Sequence, residues 1–357
     1  MATRRSFLTS LLAASLLARP TWADAGCPAF LSAAMRPDGQ YVLCGLSASA
    51  QITFEIPLPA RGHAAAAHPS RPEAVAFARR PGTFAIVLDC SSGHQKASLA
   101  APAGRHFCGH GAFSAEGDLL FTTENDYDAA RGMIGVWDAR QNYARVGEFP
   151  SGGVGPHDIK RLPGEEVLVV ANGGIETHPS TGRAKLNLPT MRANLSYLDF
   201  SGNRLSKMEL DTDHQRNSIR HLAVSADGGV GFAMQWQGDA INDLPLLGIH
   251  WRQMDETVSF DEASVRNMHG YLGSIAFAND GTSLATTSPR RGMLQVFKAG
   301  HLSEEVAIAD VCGVATLGDA FVVTSGAGAI QLPNATVRTH NLAWDNHLIP
   351  VSKPPLH

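Results

Sequence analysis

Short apolar runs alternate with glycine-containing turns along most of the chain, and no long stretch after residue 25 has helical periodicity. One unit recurs, consisting of an apolar strand, a turn that ends in glycine, and a second apolar strand. In four copies the leading residue stands seven positions before the turn glycine: His110 to Gly117, His157 to Gly164, His221 to Gly228 and Ser274 to Gly281. The pattern predicts a repeated antiparallel β unit.

A further copy runs from Ser32 to Gly39, and two looser copies begin at His63 and Val314. Seven antiparallel units with roughly 40–50 residues each are typical of propeller blades. We therefore predict an all-β fold, a single seven-bladed β-propeller over residues 26–357; a β-sandwich is a less economical arrangement. The short first interval indicates that blade one lacks a strand, which the segment 337–351 would supply to close the ring. The long interval after His157 accommodates an insertion over residues 173–191.

The N-terminus has the pattern of an export signal. Arg4 and Arg5 form a twin-arginine pair before an apolar run from Leu8 to Leu17, and Ala23-Asp24-Ala25 supplies the small residues of a cleavage site. We predict a twin-arginine signal peptide over residues 1–25 and a periplasmic location. Lipid attachment at Cys27 and an uncleaved membrane anchor are weaker alternatives, the second because the apolar run is much shorter than the roughly 20 residues of a membrane span.

Composition excludes several classes of function. The formal net charge is −4 and no long block of Lys or Arg occurs, so neither nucleic acid nor, after signal cleavage, a membrane is an expected partner. The sequence contains no motif typical of a phosphate-binding glycine loop, a serine-hydrolase nucleophile elbow or a zinc-protease helix. The five cysteines form no C-x-x-C motif, and in an oxidising compartment one or two disulfides are plausible.

Several stretches of the chain resemble the DUF1513 family of proteins of unknown function. The resemblance lies in residues 107–114, 122–126, 155–158, 171–179, 219–223 and 344–347. It implies an exported, propeller-like protein. It also implies an association with periplasmic iron-uptake proteins, including imelysin-type proteins, without assigning a reaction.

Histidine is the leading residue of four consecutive repeats. Because the first strand of a propeller blade lines the central channel, equivalent positions meet near one face. Imidazole is a common ligand of iron, copper, zinc and nickel, and twin-arginine export often carries proteins already loaded with a cofactor. We therefore predict a transition-metal site, for iron or copper, formed by His63, His110, His157 and His221. The alternative is that these histidines form hydrogen bonds between blades.

Other polar residues are weaker candidates for this site. The second group consists of Glu124, Glu176, His178 and His347, each in a segment that carries the family resemblance. Glu124 is expected to serve a hydrogen-bonding role, the insertion with His178 to cover the channel mouth, and His347 to reach the ring if the final segment crosses the top. The remaining histidines considered are expected in loops or on the surface: His68, His94, His106 and His214.

Three functions fit these observations. The first is a metal-binding accessory protein of periplasmic iron uptake, with the metal ion and the uptake proteins as partners. The second is a metal-dependent oxidoreductase that uses the same site. The third is a non-catalytic scaffold that docks an imelysin-type or peroxidase-type protein.

Overall fold

The computed structural model describes residues 20–79, 82–238, 244–260 and 265–351. These residues form seven small antiparallel sheets arranged in a ring, which confirms the seven-bladed β-propeller. Most of the predicted signal peptide, residues 1–19, lies outside the described residues. Among those that are described, no helix has the length and apolar content needed to cross a membrane.

Blades two to seven each consist of four consecutive strands along the chain, and blade one combines three N-terminal strands with the C-terminal segment. From the first blade to the seventh, their bounds are Phe30–Met35, Tyr41–Leu46 and Ile52–Leu58; Gly62–Ala67, Glu73–Ala78, Ala85–Asp89 and Gln95–Leu99; Arg105–Phe113, Leu119–Asp126, Arg131–Asp138 and Ala144–Pro150; Pro156–Arg161, Val167–Asn172, Asn194–Asp199 and Arg204–Glu209; Asn217–Val224, Val230–Trp236, Leu247–Trp251 and Glu256–Ser259; Ser274–Phe277, Ser283–Ser288, Met293–Lys298 and His301–Ala307; Val311–Leu317, Ala320–Ser325, Ala329–Gln331 and Val337–Thr339.

Within the described ranges, the structure also has two C-terminal strands and four short 3-10 helices. The strands are Ala343–Trp344 and Ile349–Pro350, and the helices are Ala139–Gln141, Pro179–Thr181, Thr212–His214 and Arg266–Met268.

The C-terminal segment closes the ring, as the short first interval predicts. Ala34 pairs with Trp344 and Leu31 pairs with Ile349, so residues 343–350 lie on the inner side of blade one. The prediction that Ser32 leads blade one is therefore wrong: Ser32 lies in the second strand, and its hydroxyl donates to the carbonyl of His347 (2.9 Å). The leading position of blade one belongs to His347, because the inner strand comes from the other end of the chain.

The apolar core lies between adjacent blades. Strands near the channel pack on both faces and are almost continuously apolar, as in Val167–Asn172, whereas the outer strand Glu256–Ser259 is fully exposed. Each of seven clusters of buried side chains joins one blade to the next; Phe77 of blade two, for example, packs on Phe107 of blade three (ring centroids 6.3 Å apart). Burial of each such side chain contributes about 1.5–3 kcal/mol, which holds the inner strands in fixed positions.

The cysteines do not form the disulfides that the sequence made plausible. All five lie in the described part of the chain and are free thiols. The buried ones belong to different blades: Cys44 to blade one, Cys90 to blade two and Cys312 to blade seven.

Candidate metal centre

Five histidines from five consecutive blades meet at the channel. In blade order they are His347, His63, His110, His157 and His221, and the ring centroids of successive members lie 4.6, 5.0, 5.0 and 5.0 Å apart. His221 closes the set at 5.1 Å from His347. We refer to these five residues as the histidine cluster. It contains the four histidines of the predicted site together with His347 from the second group.

The inner strands turn these side chains inward through β-bulges. The pairing register shifts between Gly62 and Ala65, between Phe107 and Gly111, and between Pro156 and Asp158, which places His63, His110 and His157 within the irregular stretches. A β-bulge bends the strand and re-aims a side chain. In blade five the shift skips residue 220 and leaves His221 at its border.

Two glycines allow the cluster to pack closely. Gly109 has φ +101°, and a Cβ there would lie 2.6 Å from Cδ2 of His63. A Cβ on Gly313 would lie 2.6 Å from the backbone nitrogen of Leu348, next to His347. Side chains at these two positions would collide with the segments that carry His63 and His347.

The ring nitrogens form two triplets that share His110. In one triplet with His63 and His347, and in another with His157 and His221, the potential ligand atoms lie within 4.8 Å of one another. Nε2 of His110 is 3.3 Å from Nε2 of His63. Since histidine nitrogens bind zinc at about 2 Å, small inward movements would let one ion contact several rings.

A buried carboxylate orients His110. Oδ1 of Asp158 lies 3.2 Å from Nδ1 of His110, while its Oδ2 accepts the backbone N–H of Leu222 (3.0 Å). A carboxylate at Nδ1 favours the tautomer with the proton on Nδ1, which leaves the Nε2 lone pair for a metal. Asp345, fixed by Arg61 and Arg79, lies 3.9 Å from Nδ1 of His63.

Burial keeps most of the cluster uncharged. Desolvation lowers the pKa of His63 to about 4 and holds the pKa values of His157, His221 and His347 well below their usual range, with neighbouring positive charges acting in the same direction. Although burial opposes it, Lys160 and His110 lower the pKa of Asp158. At neutral pH these four histidines are therefore neutral imidazoles, the form that binds a metal.

Three ring nitrogens of the cluster are buried without a hydrogen-bond partner. They are Nδ1 of His63, Nδ1 of His221 and Nε2 of His347. A buried polar atom without a partner costs about 1–3 kcal/mol, and a metal ion is one group that satisfies an imidazole lone pair. The donor set thus fits a transition metal that accepts nitrogen ligands.

The other members of the second group lie elsewhere. Glu124 is fully buried in blade three and forms a bidentate pair with Arg145 (2.6 and 3.0 Å), in keeping with the expected hydrogen-bonding role. His178 caps a 3-10 helix and contacts Ser180 and Asp128, and Glu176 is half-buried in the same insertion. None of these three belongs to the two histidine triplets.

His68 lies in a loop, as expected, between the strands Gly62–Ala67 and Glu73–Ala78, but it is almost completely buried. Its Nδ1 accepts the backbone N–H groups of Ser70 and Arg71, and its carbonyl accepts the indole N–H of Trp22. His106 lines the cavity described below. His94 is exposed and His214 is half-exposed, as expected.

A cavity of about 350 Å³ adjoins the cluster, and we call it the vestibule. His63, His157 and His221 line its floor. The insertion of blade four contributes Ile175, Thr177, Arg183 and Lys185 to its wall, so the insertion borders the channel mouth. The cluster is therefore reachable from outside through a defined opening.

The fold and site define a class: a seven-bladed β-propeller with a histidine cluster in its channel. Solved structures of similar fold include hydrazine synthase of Kuenenia stuttgartiensis, with a TM-score of 0.60, 12% identity and coverage of 88% of this chain and 95% of that chain. A chain of a mitotic checkpoint complex has a TM-score of 0.55 and 11% identity, with coverage of 83% and 77%. At such identities the likeness concerns the fold alone.

The chain belongs to the family described as "Protein of unknown function (DUF1513)", whose model matches residues 56–351. This match confirms the resemblance seen in the sequence. It includes all five members of the histidine cluster. No curated protein matches the chain.

Proposed function

We propose that the protein binds one transition-metal ion, iron or copper, at the histidine cluster and serves as an exported, periplasmic accessory protein of iron acquisition. One observation carries the metal proposal: five imidazoles from five blades converge, and three of their buried nitrogens lack a partner. The iron-uptake role rests on the family resemblance and the twin-arginine pattern at Arg4 and Arg5.

The residues have distinct parts in this proposal. His63, His110, His157, His221 and His347 form the candidate ligand set, and His110 is common to both triplets. Asp158 orients His110, and the buried bulges of the inner strands fix the rings. Ligands held on rigid strands keep their geometry better than ligands on loops, which suits retention of an ion.

Elemental analysis of protein exported through its own signal tests this function. We expect about one iron or copper ion per chain, and loss of that ion in the double variant His110→Ala, His157→Ala. The matched control is His94→Ala, His301→Ala, which removes two exposed histidines outside the cluster and should retain the metal. Metal-free wild-type protein, or full retention in the cluster variant, would contradict the proposal.

The vestibule supports a second candidate function, a metal-dependent oxidoreductase, because a substrate would have room beside the cluster. Repeated oxygen consumption with excess ferrous iron, dependent on His110 and His157, is the expected result for an oxidase. A single stoichiometric binding event without turnover would favour the accessory role.

A further inference from the structure

The wall of the vestibule is rich in positive charge. Five cationic side chains line it, and among the residues that the structure describes no Asp or Glu does. They are Arg79, Arg183, Lys185, Arg220 and Arg290. The whole chain has a formal net charge of −4, so this concentration of cations is local.

The cations come from four different blades. Arg79 follows the second strand of blade two, Arg183 and Lys185 belong to the insertion of blade four, Arg220 lies in the bulge of blade five, and Arg290 lies in a turn of blade six. The five cations therefore do not come from one basic stretch of the sequence. The circular arrangement of the blades brings these side chains into one cavity, which His63, His157 and His221 also line.

Contacts within the vestibule hold several of these charges in place. The guanidinium of Arg290 lies 4.2 Å from the ring centroid of Tyr271, a cation–π distance. Arg220 donates to Nδ1 of His157 (3.2 Å), and Arg79 pairs with Asp345 (3.2 Å). Partial burial and the charges of Arg220 and Arg290 lower the pKa of Lys185, which shows that these cations repel one another.

We propose that the vestibule binds a small, multiply charged oxyanion, with citrate-like polycarboxylates as the favoured ligands. Guanidinium groups donate paired hydrogen bonds to carboxylate and phosphate oxygens, and an anion would relieve the repulsion among the cations. The volume of about 350 Å³ accommodates a ligand larger than a single inorganic ion. A free metal cation is repelled by this wall, whereas an anionic chelate is attracted.

Arg220 connects the vestibule to the histidine cluster. An oxyanion that accepts hydrogen bonds from Arg220 competes with Nδ1 of His157 for the same donor. Anion binding would thereby release Nδ1 of His157 for a metal. By thermodynamic linkage, a bound metal would then raise the affinity for the anion by the same factor. This coupling rests on the proposed metal function, but anion binding itself does not.

Titration calorimetry on metal-free full-length protein tests the proposal, with citrate and inorganic phosphate as separate probes. We expect saturable citrate binding that weakens with added salt, and a loss of about tenfold or more in the variant Arg183→Gln, Lys185→Gln. The control variant Arg204→Gln, Lys298→Gln removes the same charge from exposed positions outside the vestibule and should bind like wild type.

The results distinguish a polycarboxylate ligand from an inorganic oxyanion, and they distinguish anion binding from metal binding. Tighter binding of citrate than of phosphate supports a polycarboxylate, and the reverse supports an inorganic oxyanion in the same cavity. No saturable binding of either probe, or equal losses in both variants, would overturn the proposal. Metal content is measured separately, so failure of metal retention leaves the anion result interpretable.

Discussion

Two buried polar regions meet in blade three, and they differ in whether their polar atoms have hydrogen-bond partners. Around Glu124, both carboxylate oxygens accept hydrogen bonds from Arg145, and Thr122 donates to one of them. Around His110, on the inner strand of the same blade, the neighbouring rings of His63, His221 and His347 each leave a buried nitrogen without a partner. The first region is complete without a ligand, whereas the second is not. Burial alone therefore does not mark a site; several buried nitrogens without a partner that converge on one place do.

The largest expected effect concerns stability at the completed region. Replacing Glu124 by Ala leaves the guanidinium of Arg145 without its buried partner, and we expect unfolding to become easier by about 3 kcal/mol. Chemical denaturation measures this change. Metal content of the folded fraction should stay at the wild-type level. Metal loss without destabilisation would contradict a purely structural role for Glu124.

Metal affinity should depend on the carboxylate behind the cluster. Asp158→Asn weakens the acceptor at Nδ1 of His110, and we expect affinity to fall about 10–100-fold. Competition with a chelator measures it. Asp227→Asn, in a surface turn of blade five, is the control and should leave affinity unchanged. Equal affinity for Asp158→Asn and wild type would remove Asp158 from the orienting role.

Acid should destabilise the metal-free protein, because protonation of His63 in the histidine cluster is easier in the unfolded chain. The pKa of His63 is about 4 in the folded chain and near 6.5 when unfolded, so between these values the unfolded state binds more protons. Stability from this group is complete above pH 6.5 and falls towards pH 4 by about 1.4 kcal/mol per pH unit. His63→Gln should flatten the profile of unfolding free energy, whereas His94→Gln should not. Identical slopes in all three proteins would contradict the burial of a neutral His63.

The smallest expected effect is a difference in stability between two glycine-to-alanine variants, which distinguishes the cost of backbone strain from the cost of crowding the cluster. Gly109 and Gly39 both have positive φ, but only a Cβ at Gly109 would meet His63, since nothing lies within 4 Å at Gly39. Gly39→Ala should cost about 1 kcal/mol from strain, and Gly109→Ala about 1 kcal/mol more. Denaturation curves of the two variants give the difference. A smaller cost at Gly109 would mean that the His63 ring moves away freely.

The blade pattern was predictable because it depends on local spacing. A strand, a turn and a second strand repeat within a few residues, so the leading positions of blades three to six can be found from glycine spacing, and the looser copies at His63 and Val314 complete the series. The role of His347 was less visible, because its position depends on pairing with Phe30–Met35 at the other end of the chain. Ser32 has the same spacing as a leading residue, yet it occupies the second strand.

Two other features of the site depend on geometry that the pattern does not encode. Asp158 follows His157 directly, and alternation along a strand would direct it to the opposite face. The register shift between Pro156 and Asp158 breaks that alternation and brings the carboxylate to His110. The cations of the vestibule lie far apart in sequence, and only the ring arrangement of the blades brings them to one cavity.

The segment that closes the ring also carries His347, between the strands Ala343–Trp344 and Ile349–Pro350, so completion of the cluster depends on closure of the ring. A chain whose last strand has not docked lacks both the inner edge of blade one and one of the five imidazoles. The triplet of His63, His110 and His347 therefore requires a closed ring, whereas the triplet of His110, His157 and His221 does not. Detachment of the C-terminal segment would open the ring and remove His347 from the cluster.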